Sequence, residues 1–280
     1  MIASTRKPRA RGGGYYLALV MLAVFALGPL VLFVFNSLKT QAQMGRDPYG
    51  LPLDPQWGNF VRAWQQADMA QGLTNSAVIV GGTVAAVSVV ATMAAYALSR
   101  LRIPGGGILM GYLLAGSALP IQLFLVPLFY LWTELGLYDS HIGLIIIYTA
   151  TLSPFATLLV RSFMVDIQDS LEEAARIDGC GELRILFQVV VPVVWPGILS
   201  AALVTAMSAY NEFLLAVTFI QSKELLPIST TFFSFQQGFT QNYVLISAAG
   251  LIMLLPMLLV FLALQRRFTE GIAGSGMGGL

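Results

Sequence analysis

Leu171–Pro192, LEEAARIDGCGELRILFQVVVP, carries six charged residues in an otherwise strongly apolar chain: Glu172, Glu173, Arg176, Asp178, Glu182 and Arg184. Apolar stretches long enough to cross a bilayer flank it on both sides, so it must lie outside the membrane. Asp169 or Ser170 is placed to cap a helix beginning near Leu171. Glu172 and Glu173 then fall in its first turn, where the helix dipole favours acids. Ala174 and Ala175 favour helix and add almost no bulk. Gly179 is positioned to end the helix in the left-handed conformation. A second helix is expected after Gly181, with Pro192 and Pro196 marking return to the membrane. A compact charged helix between two spans suits contact with a soluble partner. The same residues suit an amphipathic loop lying on the bilayer surface.

The 280 residues are 57% hydrophobic and 10% charged. A soluble domain carries about 25% charged residues, so this chain cannot present a water-facing surface all round. A net charge of +1 gives no basis for nucleic-acid binding. The lone Cys180 permits no internal disulfide.

A spanning helix needs about 20 apolar residues. Six stretches qualify: Tyr15–Asn36, Ala77–Leu98, Ile108–Leu131, Ile142–Val160, Gly197–Ile220 and Val244–Leu264. The first is longer than the apolar part of a signal peptide, about 7–15 residues, and is read as retained. With the N-terminus inside, eleven Lys and Arg lie in inner segments: Arg6, Lys7, Arg9, Arg11, Arg100, Arg102, Arg161, Arg176, Arg184, Arg266 and Arg267. Four lie outside: Lys39, Arg46, Arg62 and Lys223. The bias predicts cytoplasmic termini and a cytoplasmic Leu171–Pro192. Pro29, Pro120, Pro127, Pro154 and Pro256 are expected to bend their helices. Gly82/Ala86, Ala91/Ala95 and Ala202/Ala206 suit close helix packing. The segments 37–76 and 221–243 are long enough to hold structure outside the bilayer. Gly271–Leu280 reads as a flexible Gly-rich tail.

Glu212 is the acid set well within a span, at about 2.5–3.5 kcal/mol if it behaves as a central Asp does. Asn211 and Tyr210 are adjacent candidates to satisfy it. Glu212 and Asn211 read either as a pathway or gate pair or as a hydrogen-bond clamp. Ser117 and His141 are the pair to consider for hydrolysis. Ser117 lies about 14 residues from the outer end of its span, about 20 Å, so they are not expected to meet. No G-x-x-x-x-G-K-[ST] sequence is present, so the chain has no P-loop. An ion-coupled secondary transporter is the alternative that shares bent spans and a buried acid.

Glu173-Ala174-Ala175, Asp178-Gly179 and Val189-x-Val191-Pro192 closely resemble the E-A-A…D-G-A…I-x-L-P signature of ABC importer permeases. Cys180 replaces the usual alanine, and Val191 the usual leucine. Asn75-Ser76, Pro120, Pro127-Leu128, Leu135-Gly136-Leu137, Asn211-Glu212-Phe213, Leu255-Pro256 and Gln265-Arg266-Arg267-Phe268 extend the likeness over most of residues 59–274. The pattern is similar to the second permease subunit of carbohydrate importers, the maltose type included. The resemblance implies an all-α polytopic membrane protein with six transmembrane helices and a cytoplasmic coupling helix between the fourth and fifth. Residues 1–14 would form a cytoplasmic segment, 15–268 the permease domain with coupling segment 165–195, and 269–280 the tail. It implies a non-catalytic subunit of a prokaryotic plasma (inner) membrane complex. The implied partners are a homologous permease, two ATPase subunits, an extracytoplasmic binding protein and a sugar. No cofactor is expected in this chain, and ATP with magnesium is expected on the ATPases. Glu172, Glu173, Ala174, Ala175, Asp178 and Gly179 would then contact the ATPase, the acids pairing with its basic residues.

Overall fold

The computed structural model describes residues 13–101, 103–238 and 242–275. The charges at Arg6, Lys7, Arg9, Arg11 and Arg102, and residues 276–280 of the Gly-rich tail, lie outside the described residues. All the described elements are helical. Five helices are long and apolar enough to cross a membrane, six when one bent pair counts as a span. The chain divides into two compact units.

The first unit holds residues up to Gln66 together with Gln236–Ile252. It contains α1 (Gly13–Ser37), α2 (Gln41–Arg46) and α3 (Gly58–Gln66). Lys39 is fully buried here. Its Nζ donates to Asn36 Oδ1 at 2.9 Å and to the carbonyls of Asp47 and Pro48 at 2.9 and 3.0 Å. Asn59, also buried, donates Nδ2 to the carbonyls of Ser37 and Lys39 at 2.7 and 2.9 Å. A buried ammonium is tolerated because three oxygens replace its water. These bonds fold residues 37–59 back on themselves, so the segment after the first span is built rather than loose.

The second unit holds Ala67–Phe235 and the chain from Met253 onward. Its centre is α4 (Met69–Arg100) against α7 (His141–Val165), with α10 (Val191–Asn211) on both. Small residues permit the approach. Ala91 and Ala95 are fully buried, and a Cβ on Gly197 would sit 2.5 Å from the Phe163 ring. Two apolar clusters fill the interior. One runs from Val87 to Ala95 against Ala156–Met164 and Ile185–Ala201. The other joins Ile79, Leu144, Tyr148 and Phe219.

The expected third span is broken. α5 (Gly106–Ala118) and the helical stretch Ile121–Glu134, which includes α6 (Leu125–Glu134), meet at 90°. Leu119 is extended at ψ 129°, as a residue before proline prefers, and Pro120 cannot donate back to α5. The expected fifth span is also broken, at Glu212, where the backbone turns extended (φ −66°, ψ 129°) before α11 (Leu214–Phe219). α12 (Ile228–Gly238) and α13 (Tyr243–Ser275) complete the chain. α13 continues helical through Ser275, so the first part of the tail is not the loose segment its glycines suggest.

Gly143, in the first turn of α7, packs on the preceding turn. A Cβ there would lie 2.0 Å from the Leu137 carbonyl oxygen. Backbone cannot swing away as a side chain can. Gly143→Ala is therefore expected to cost about 1–3 kcal/mol, read as a lower melting temperature of the detergent-purified protein. Gly111→Ala, with open space around it, is the control expected to show no such drop.

Candidate functional site

The charged stretch forms two short helices, α8 (Asp169–Ile177) and α9 (Glu182–Ile185). α8 starts two residues earlier than its capping residues suggest, with Gln168 at the cap and Asp169 already in the first turn. Its end is sharply defined. Gly179 is left-handed at φ 80°, its N–H donates to the Arg176 carbonyl at 3.0 Å, and Cys180 N–H donates to the Ala175 carbonyl at 3.0 Å. That crossed pair is a Schellman motif. Ala175 and Cys180, which flank it, both pack on the apolar cluster behind. α9 then runs through a wide π turn at Leu186–Val190 into α10.

One face of α8 points inward. Glu172 is 2% exposed. Its carboxylate lies 3.1 Å from Arg100 Nε and 3.3 Å from Arg176 Nη2. Arg100, the last residue of α4, also reaches Asp169 at 2.5 Å and the carbonyls of Ile167 (2.6 Å) and Met164. Arg176 grips Glu182 at 2.8 and 3.1 Å, and Tyr96 donates its hydroxyl to the same carboxylate at 2.5 Å. The Glu182 hydrogen bond holds Arg176 even more firmly protonated than usual. Glu172, expected among the partner-facing residues, instead has its carboxylate buried beside Arg100 and Arg176. The opposite face presents Glu173, Ala174, Asp178 and Gly179 to solvent, with Ala175 half-buried at the edge. Ile177, 86% exposed, stands among them. The outward surface is a small-residue ridge with an acid at each end and an apolar tip.

At the other end of the unit, residues 221–228 are pinned from three sides. Asn75 Nδ2 donates to the carbonyls of Glu224 and Leu226 at 2.8 and 3.0 Å, and Ser76 Oγ accepts the Ile228 N–H at 2.9 Å. Asp139 accepts the N–H groups of Gln221 and Ser222 at 2.9 and 3.0 Å and the Ser222 hydroxyl. Burial works to raise the Asp139 carboxyl, but these donors outweigh it and hold it below the usual carboxylate range. His141 reaches the same segment. Its Nε2 sits 3.0 Å from the Leu225 carbonyl.

Glu212 sits at the break between α10 and α11. Its carboxylate accepts the Leu215 N–H at 2.9 and 3.0 Å, the Ala216 N–H at 3.1 Å and the Tyr148 hydroxyl at 2.9 Å. The expected local partners are engaged elsewhere. Asn211 donates to the Met207 carbonyl and Tyr210 to the Met253 carbonyl. Between the breaks lies a cavity of about 380 Å³ lined by the hydroxyls of Ser117, Thr151, Thr205 and Ser208 and by Leu152, Phe155 and Val204. Ser117 and Thr151 donate back to their own helices at 2.8 and 3.0 Å, leaving oxygen lone pairs free to accept. The sequence shows these hydroxyls, but only the packing of α5, α7 and α10 brings them to one cavity.

The described residues thus form an all-helical, largely apolar core with an outward charged helix at one end and a pinned segment at the other. Residues 87–274 match the family of binding-protein-dependent transport system inner membrane components. The chain belongs to that family. It is 32% identical over 94% of its length to the sulfoquinovosyl glycerol transport system permease protein SmoH of Agrobacterium fabrum, covering 93% of that protein. It is 31% identical over 92% of its length to the diacetylchitobiose uptake system permease protein NgcG of Streptomyces coelicolor, covering 84% of it. In fold it is similar to a chain of a bacterial ABC transporter involved in import of the acidic polysaccharide alginate. The TM-score is 0.79 at 23% identity, with 96% of this chain and 100% of that chain covered.

Proposed function

We propose that this chain is the permease subunit of an ATP-driven, binding-protein-dependent importer for a sugar or oligosaccharide. In this reading the α8 end and both termini face the cytoplasm, and α8 is the coupling helix. The outward ridge of Glu173, Ala174, Ala175, Asp178 and Gly179 meets an ATPase subunit. A homologous permease completes the pathway, and an extracytoplasmic binding protein delivers the sugar to the segment pinned by Asn75 and Asp139. ATP and magnesium belong to the ATPase partners.

The single observation that carries this reading is the two-faced build of α8. Its inner face is locked by ion pairs, and its outer face is bare, small and acidic at both ends. A loop resting on lipid headgroups would present basic residues outward. Here the α8 arginine is turned back to Glu172 and Glu182. The cavity, with four hydroxyl residues among Leu152, Phe155 and Val204, supports a sugar as cargo, since a sugar offers hydroxyls to the polar oxygens and C–H faces to the apolar side chains and the lining carries no charge. Relatives that move sulfoquinovosyl glycerol and diacetylchitobiose support the same class.

The test is purification of the tagged chain from its native membrane. An ATPase and a second, homologous permease are expected to come with it, and ATP hydrolysis is expected to rise when a sugar-loaded binding protein is added. A chain that purifies alone and moves substrate on an ion gradient contradicts the reading.

A further inference from the structure

The guanidinium of Arg100 ties its own helix to two other elements. It caps the end of α7 through the Met164 and Ile167 carbonyls, and it holds the start of α8 through Asp169 and Glu172. It belongs to the last residue of α4, and its side chain is only 6% exposed. One turn earlier on α4, Tyr96 holds Glu182, which holds Arg176. The final turn of α4 therefore grips the coupling segment at both its beginning and its end.

The covalent connections of α8 are weak levers by comparison. It joins α7 through the short turn at Asp166–Gln168 and α9 through a turn containing Gly179 and Gly181. Such links let a helix pivot. A buried ion pair does not, because parting it strands a charge away from water. Simple adhesion would be served as well by apolar side chains of similar volume. The use of two buried charges, Arg100 and Glu172, fixes direction and register instead.

Resting on the functional reading above, we infer that Arg100 is a positioning residue that transmits displacement of α8 to α4, with buried Glu172 as its counterpart. α4 packs along the length of α7 and against α10. A push on the outer ridge of α8 is thereby delivered to the helices that line the hydroxyl cavity, instead of being lost in the flanking turns.

The experiment uses the whole transporter, chain with its ATPase, permease and binding-protein partners, in proteoliposomes. Wild type is compared with Arg100→Met, Arg100→Lys and Glu172→Gln for substrate moved per ATP hydrolysed. Arg100→Met and Glu172→Gln are expected to lower that ratio about tenfold, the scale of a typical coupling between sites. Assembled complex is expected in wild-type amount. Arg100→Lys keeps the charge, satisfies one acid and loses the fork, so it is expected to recover part of the ratio. If Arg100→Met does not assemble, the other two variants decide. An unchanged ratio in Glu172→Gln and Arg100→Lys overturns the inference. Loss of transport, hydrolysis and assembled complex in equal proportion overturns it too, since that is structural support alone. A wild-type complex that moves nothing with ATP overturns the functional reading and the inference with it, and is told apart because the wild type itself fails.

Discussion

Gly179→Pro is expected to lower sugar uptake about 100-fold, the upper range of coupling between sites, while the chain still inserts and assembles. Gly179 has φ 80°, and its N–H closes the end of α8 onto Arg176. Proline holds φ near −65° and has no N–H, so it removes both at once. The Schellman turn opens, and Cys180 and Ala175 lose their shared seat on the apolar cluster. The ridge then has no fixed place to be pushed from. Ala175→Trp is expected to act the same way, since a large ring at a half-buried edge must lift α8 from its bed. Uptake into proteoliposomes, with the chain measured in the membrane fraction, checks both. Unaltered uptake and unaltered substrate-stimulated ATP hydrolysis would contradict the assignment of α8.

Glu212→Ala is expected to destabilise the membrane core by at least about 3 kcal/mol. Three donors, two backbone N–H groups and the Tyr148 hydroxyl, lose a shared charged acceptor, at about 1–3 kcal/mol for each one left unsatisfied. The break at Glu212 is held open by that carboxylate, which links α7 to the start of α11. Glu212→Gln keeps one acceptor oxygen and is expected to be intermediate. The two variants separate the roles open for this residue. If Glu212→Gln assembles normally but changes the transport rate, the break works as a gate. If assembly and melting temperature fall together with transport, it is a clamp. Normal assembly and normal kinetics would remove both roles. Asn211, bonded within its own helix, is expected to tolerate Asn211→Ala better than Glu212 tolerates alanine.

The apolar spans and the short charged helix α8 were legible because they depend on local chemistry. Runs of apolar residues report spans wherever they occur, and Gly179 after an alanine-rich turn reports a helix end within a few residues. The two faces of α8 were not legible. Glu172 and Glu173 are adjacent and chemically alike. Which one turns inward depends on Arg100, some seventy positions earlier, which sequence reading could count only as an inner positive charge. Glu212 shows the same limit. Tyr210 and Asn211 are its neighbours along the chain, but the backbone break turns its carboxylate toward Tyr148 on another helix. Pro120 announced a bend in the third span; the right angle there depends on how α5 and α6 pack, which no local signal carries. The Asn75-Ser76 pair acquires its physical meaning only in the fold, as the two side chains that hold residues 224–228.

The most direct test of the account is a contact measurement at the outer ridge of α8. A cysteine introduced by Glu173→Cys, in a Cys180→Ser background, would be labelled with a short thiol-linked photoreactive probe in the native membrane complex. A cross-link to the ATPase subunit is expected, its yield changing when ATP is added, with no such product from a probe placed by Glu172→Cys on the buried face. Cross-linking of the Glu173 site to lipid alone, with or without ATP, would contradict it.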